Sequence, residues 1–222
     1  DGLSLHYYTV TGWSGSKGSA TDFSTDDYYW TLGKCREIED VIKRHIAIMD
    51  KYDPQKRVGL IVDEWGTWWD EEPGTISGHL FQQNTLRDAF VASLTLDIFH
   101  KYTDRIKMTN IAQIANVLQS MLLTKKDKMV LTPTYHVFEM YKGHMDAINL
   151  PIDLQCDSLV ANNRKFAAVS VSASKNSKGQ INVTLANVDP DKDQTIEIEF
   201  IRSLQTAAGK MMFAKKTETA KP

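Results

Sequence analysis

Residues 58–69 read Val-Gly-Leu-Ile-Val-Asp-Glu-Trp-Gly-Thr-Trp-Trp, an apolar run that ends in two adjacent carboxylates and three tryptophans. In a barrel of alternating strands and helices, an acid at the C-terminal tip of a strand points into the mouth where active sites form. On their own, Asp63 and Glu64 fit a salt bridge or a cap on a following helix equally well. The neighbouring Trp65, Trp68 and Trp69 turn the reading toward a sugar. An aromatic face packs on the apolar C–H face of a pyranose or furanose ring, and the indole N–H remains free for a hydroxyl. At least one of the three is then core packing.

A second group closes a first candidate strand at residues 3–8, where His6-Tyr7-Tyr8 supply an imidazole and two phenols. Such groups orient a carboxylate or shift its protonation through hydrogen bonds. A histidine satisfied at a strand end is the equal alternative. Gln113, at the end of a third candidate strand, could bond two hydroxyls at once or simply serve the fold. His45, His79, His100, His136 and His144 form no ligand cluster and read as solvated or helix-face residues, so no metal is expected. The methionines from Met108 to Met145 read as core.

These residues need elements to carry them. A loop over 11–27, rich in Gly, Ser and Thr, follows the first strand. Helical spacing of apolar residues over 32–52 ends at Asp53-Pro54. The continuous run at 58–62 suits a parallel strand covered on both faces. After a loop at 71–77, Asn84 or Thr85 caps a long helix reaching Tyr102. Residues 106–113 read as a strand, with helix not excluded, and 129–145 as a helix with Pro133 near its start. This alternation implies a parallel sheet with helices outside it. Beyond Pro151, residues 166–174, 180–187 and 195–201 alternate as antiparallel strands with one buried face. The expected organisation is α/β plus all-β, with a boundary between residues 149 and 153.

At 222 residues and a formal net charge of −2, the chain offers no broad basic field, which argues against nucleic acid and anionic membrane as partners. No apolar run approaches the length of a membrane span. Cys35 and Cys156 stand far apart and read as thiols. The chain opens at Asp1 with no Met and no leader, as a piece of a longer protein would, so localisation is open.

Three blocks together carry a resemblance: DEWGTWWDEEPGTISGHLFQQNTLRDAFVASLTLDIF, RIKMTNIAQIANVLQSM and KMVLTPTYHVFEMYKGH. With SLHYY at 4–8 ahead of them, they resemble the C-terminal half of a glycoside hydrolase family 51 α-L-arabinofuranosidase. The resemblance implies the last strands and helices of a (β/α)8 TIM barrel over 1–150, then an incomplete antiparallel β-sandwich over 151–222. It implies a retaining hydrolase that releases terminal arabinofuranose from plant polysaccharides, with no cofactor. By motif position Glu64 would be the nucleophile and Tyr8 would hydrogen-bond it. His6 would help position the acid pair, Trp68 would line the sugar pocket and Gln113 would bind a hydroxyl. Trp69 stands where the family has tyrosine, at the pocket's outer edge.

The family's acid/base glutamate belongs to an Asn-Glu motif that would precede Asp1, so the isolated 222 residues are expected to be inactive. The exposed strand edges of a partial barrel would associate with the missing N-terminal half or with another copy of the chain. The rival readings are a pyranoside-cleaving enzyme of the same barrel class and a carbohydrate-binding piece without activity.

Overall fold

The run at 58–62 lies at the start of β2 (Gly59–Thr67), the middle strand of a three-stranded parallel sheet, in a computed structural model describing residues 1–161, 164–200 and 207–213. β2 pairs with β1 (Gly2–Thr9) on one side and β3 (Ile106–Ile111) on the other. A hairpin cannot join parallel neighbours, so each connection carries helices. Between β1 and β2 these are α1 (Thr25–Arg36) and α2 (Ile38–Tyr52); between β2 and β3 it is α3 (Leu86–Lys101). Leu60, Val62 and Trp65 pack into one core with Ile38, Ile42, Ala92 and Phe99. Each fully buried aliphatic side chain there contributes about 1.5–3 kcal/mol. At the opposite end of β2 from Glu64, the buried Arg105 guanidinium forks onto Asp50 and Asp53 at 2.7 and 2.9 Å and donates to the Val58 carbonyl.

Several local expectations change. The loop after β1 stops at Ser24 instead of residue 27, because Ser24 and Asp27 form a reciprocal capping box that starts α1. The single helix expected over 32–52 is two helices meeting at Glu37. Thr85 caps α3, with Asp88 closing its box. The helix expected over 129–145 begins only at Pro133. Before it, β4 (Leu122–Lys125) and β5 (Lys128–Leu131) form a hairpin closed by Lys126-Asp127, with Lys126 at φ 56°. Thr132 then caps α4 (Pro133–Tyr141), where proline at the first turn sacrifices no hydrogen bond. The methionine expectation also fails in part: Met108, Met129 and Met145 are exposed, while Met140 packs on the main core.

After a short 3-10 turn (Lys142–His144), the chain becomes antiparallel. β6 (Ile148–Asn149), β9 (Val169–Lys175) and β10 (Ile181–Asn187) form a sheet in the order β10-β9-β6, and β7 (Ser158–Ala161) pairs with β8 (Arg164–Ala167). The strand expected over 166–174 is thus broken at Ala168. No strand forms over 195–200, although Ile196, Ile198 and Phe200 alternate, because no described edge pairs with them. Ile201, and the polar tail from Lys215, lie outside the described residues. The antiparallel part shares a core with the helices: Phe166, Ala186 and Val188 pack with Tyr28, Leu32, Cys35 and Leu94. Both cysteines are free, Cys35 buried and Cys156 exposed. Among the described residues, no helix is long and apolar enough to cross a membrane.

Candidate active site

The strand register explains how the acids are presented. Ser4 pairs with Ile61 and His6 with Glu64, so β2 spends three residues where β1 spends two. The same excess appears against β3, where Val62 pairs with Thr109 and Trp65 with Ile111. An extra residue in one strand is a β-bulge, which breaks the alternation of side chains between faces. As a result Asp63 and Glu64 do not diverge, as strict alternation would require. Both reach His6, with Nε2 at 3.3 Å from Asp63 and Nδ1 at 3.7 Å from Glu64.

Tyr8 completes the cluster from β1. Its hydroxyl donates to Glu64 Oε1 at 2.5 Å, the short distance of a charge-assisted O–H···O⁻ bond. Burial, and then the Glu64 carboxylate itself, raise the Tyr8 pKa far above the ordinary phenol value, so Tyr8 stays a donor. Tyr7 alternates to the other face and donates to the Lys34 carbonyl. The Glu64 side chain remains about 40% exposed, open to a reactant. Asp63 also accepts from Ser4 at 2.8 Å, and this bond leads the causes that hold its carboxyl below the usual range.

The tryptophans divide by role. Trp68 is half-buried, and its ring meets Tyr8 edge-on at 5.0 Å. Trp65 is fully buried between Phe99 and Phe138. Trp69 is interior as well, not at a pocket edge: Arg87 stacks on it at 3.7 Å and its indole donates to Asp88. Gln113 is exposed just past β3, and no hydrogen bond among the described residues ties its side chain to Glu64.

Sequence reasoning missed Trp13. It stands 69% exposed on the loop after β1, with its ring 5.7 Å from Trp68 and 6.3 Å from Tyr8. The Asp70 carboxylate clasps that loop, accepting from the Ser16 hydroxyl and from the backbone N–H groups of Lys17 and Gly18. The available signal was a lone tryptophan in a Gly/Ser loop directly after His-Tyr-Tyr.

Below the cluster, a buried polar network fixes the end of β2. The Thr67 hydroxyl and the Trp69 indole both donate to Asp88 Oδ1, at 2.6 and 2.8 Å. Gln82 accepts from the Trp69 backbone and Gln119 from the Thr67 backbone. Each satisfied bond contributes about 1 kcal/mol, and a lost partner would leave a buried group unpaired. Gly66, at φ 152°, permits the close approach of Gln119, whose side chain would lie 3.3 Å from any added Cβ. Among the described residues, no three His, Cys, Asp or Glu side chains are grouped to hold a metal.

A carboxylate flanked by imidazole, phenol and indole thus stands on a parallel sheet backed by helices. The chain belongs to the family described as the α-L-arabinofuranosidase C-terminal domain, whose sequence profile matches residues 63–221. It is 66% identical over 218 residues to an intracellular exo-α-L-arabinofuranosidase of Bacteroides ovatus, covering 97% of this chain and 42% of that protein. It is 28% identical to a probable α-L-arabinofuranosidase C of Aspergillus niger, over 63% of this chain and 29% of the other. Among solved structures, the GH51 arabinofuranosidase of Xanthomonas axonopodis pv. citri superimposes with a TM-score of 0.84 at 50% identity, over 86% of this chain and 39% of that one. A family 51 enzyme of Bifidobacterium longum, at 18% identity and a TM-score of 0.68, shares the fold. The chain therefore spans less than half the length of the relatives it matches.

Proposed function

We propose that these residues carry the nucleophile side of a retaining α-L-arabinofuranosidase. The observation that carries this reading is the 2.5 Å bond from Tyr8 to an accessible Glu64. Retaining hydrolysis needs a carboxylate that attacks the anomeric carbon, and a second carboxyl roughly 5–5.5 Å away that protonates the leaving oxygen and then activates water. Glu64 is the attacking group and Tyr8 aligns its carboxylate. His6 faces the other oxygen, Trp68 forms the sugar-facing wall and Gln113 binds a hydroxyl from the end of β3. The acid/base glutamate comes from chain beyond these residues, in keeping with the greater length of the relatives. Residues 1–150 are an arc of a (β/α)8 barrel, with β1, β2 and β3 as neighbouring staves, and 151–222 belong to a β-sandwich. The substrate is an arabinofuranosyl end group on an oligo- or polysaccharide, as the names of the relatives suggest.

The test is turnover of an aryl α-L-arabinofuranoside by the enzyme containing this chain. Glu64→Gln should lose activity by at least about 10⁴-fold, the scale seen when a nucleophile is removed. The isolated 222 residues should not turn over. Retained turnover in Glu64→Gln would end the nucleophile assignment, and activity in the isolated chain would end the two-part reading.

A further inference from the structure

We infer that Asp63 is a positioning residue for the same reaction, acting on Glu64 through His6. This rests on Glu64 being the nucleophile, and it deepens that reading by adding a third member to the cluster.

The bulge is what makes the arrangement possible. In a regular strand Asp63 would point to the face opposite Glu64. Here the two acids lie on either side of one imidazole, with Asp63 at Nε2 and Glu64 at Nδ1. Ser4 donates to the same Asp63 oxygen that faces His6, adding a second tie to that carboxylate. The imidazole thus lies between the two carboxylates. Glu64 receives Tyr8 on Oε1 and faces His6 with Oε2, so each of its oxygens meets a separate group.

This matters at one step of the cycle. When water attacks the anomeric carbon of the glycosyl-enzyme, the bond from that carbon to the Glu64 oxygen breaks and its electron pair returns to the carboxylate. His6, oriented by Asp63, faces the carboxylate on which that charge reappears. No proton passes from His6, and Asp63 touches neither the sugar nor the water.

The experiment uses the enzyme containing this chain and dinitrophenyl α-L-arabinofuranoside, whose good leaving group makes release of the sugar from Glu64 limiting. Asp63→Asn should lower kcat about tenfold and KM in parallel, leaving kcat/KM nearly unchanged, and Asp63→Ala should do at least as much. In a His6→Asn background, the same Asp63 substitutions should change kcat by less than about twofold, because residues acting through one another are not additive. Equal losses in both backgrounds, or a full kcat in Asp63→Ala, would overturn the inference. Thermal midpoints of all variants, measured alongside, should match the parent; a drop that tracks the kcat loss would assign Asp63 a structural role. Glu64→Ala supplied with azide tests the underlying reading separately. Arabinosyl azide formation supports the nucleophile, and its absence removes the basis of the inference rather than the coupling of Asp63 to His6.

Discussion

His100 and His144 face each other across the seam between α3 and the antiparallel sheet, with ring centroids 4.9 Å apart. Each is held by a hydroxyl from β9: His100 Nδ1 lies 3.0 Å from Ser172 and His144 Nδ1 2.8 Å from Ser174. Both were expected to be solvated or on a helix face; His100 does sit on α3, half-buried, whereas His144 ends the 3-10 turn and is buried. Burial, and then the neighbouring His144, bring the His100 pKa from 6.5 to about 4, and burial lowers that of His144 as well.

This pair should make folded stability fall in mild acid. The unfolded chain takes up protons near pH 6.5, whereas folded His100 resists them until about 4. Its contribution is fully present above 6.5 and lost as pH falls through that window, to an upper limit of about 3 kcal/mol. Asp97, one turn before His100 and bonded to Tyr141 and Ser170, works in the opposite sense, since burial raises its pKa. Lys101, which lowers the Asp97 pKa, reduces that offset. Thermal midpoints measured from pH 7.5 to 4.5 should decline less steeply in His100→Asn than in the parent. Parallel declines would remove the pair as the cause.

Tyr8→Phe isolates the hydroxyl that meets Glu64. The ring still packs against Trp68, so folding should be retained, while a hydrogen bond to a charged group is lost. Such bonds are worth about 1.5–3 kcal/mol, which corresponds to a kcat/KM loss of roughly tenfold to a hundredfold. Steady-state kinetics on an aryl arabinofuranoside in the full enzyme give the answer, and a loss below threefold would mean the bond does little for the reaction.

Trp13→Ala should separate binding from chemistry. The ring is exposed and edges Trp68, so it can hold the part of the substrate beyond the cleaved bond. Removing an aromatic platform worth about 1 kcal/mol should raise KM for an arabino-oligosaccharide about fivefold. An aryl arabinofuranoside, shorter at that end, should be affected less. Equal effects on both substrates would place Trp13 elsewhere in the cycle.

What could be read from the sequence was what local chemistry decides. The β2 run is bounded by charge, and Thr85 with Asp88 spells a capping box, so strand and helix start were both accessible. The meeting of Tyr8 with Glu64 was implied by the resemblance to family 51, and neighbouring parallel strands make it possible. The bulge was not legible, because it is a mismatch in count between β2 and two strands far from it in the chain. The β4–β5 hairpin escaped because Lys126-Asp127 lacks the glycine that usually marks a two-residue turn. Helix α1 was read short because its buried face, Tyr28, Thr31, Leu32 and Cys35, keeps helical spacing but includes a polar threonine, which weakens the apolar signal. Trp13 and the histidine pair depend on contacts that only the assembled fold creates.

Tyr28 donates to the Val188 carbonyl at 2.9 Å, and around that bond the helices and the antiparallel strands share one apolar cluster. A genetic exchange at residue 150 would therefore cut through a packed interior rather than between two self-sufficient parts. The outer faces of α1 and α3 and the inner face of the later strands must change together, as two halves of one mould. Chimeras between relatives should fold when those faces are inherited from the same parent, whichever parent supplies the catalytic strands.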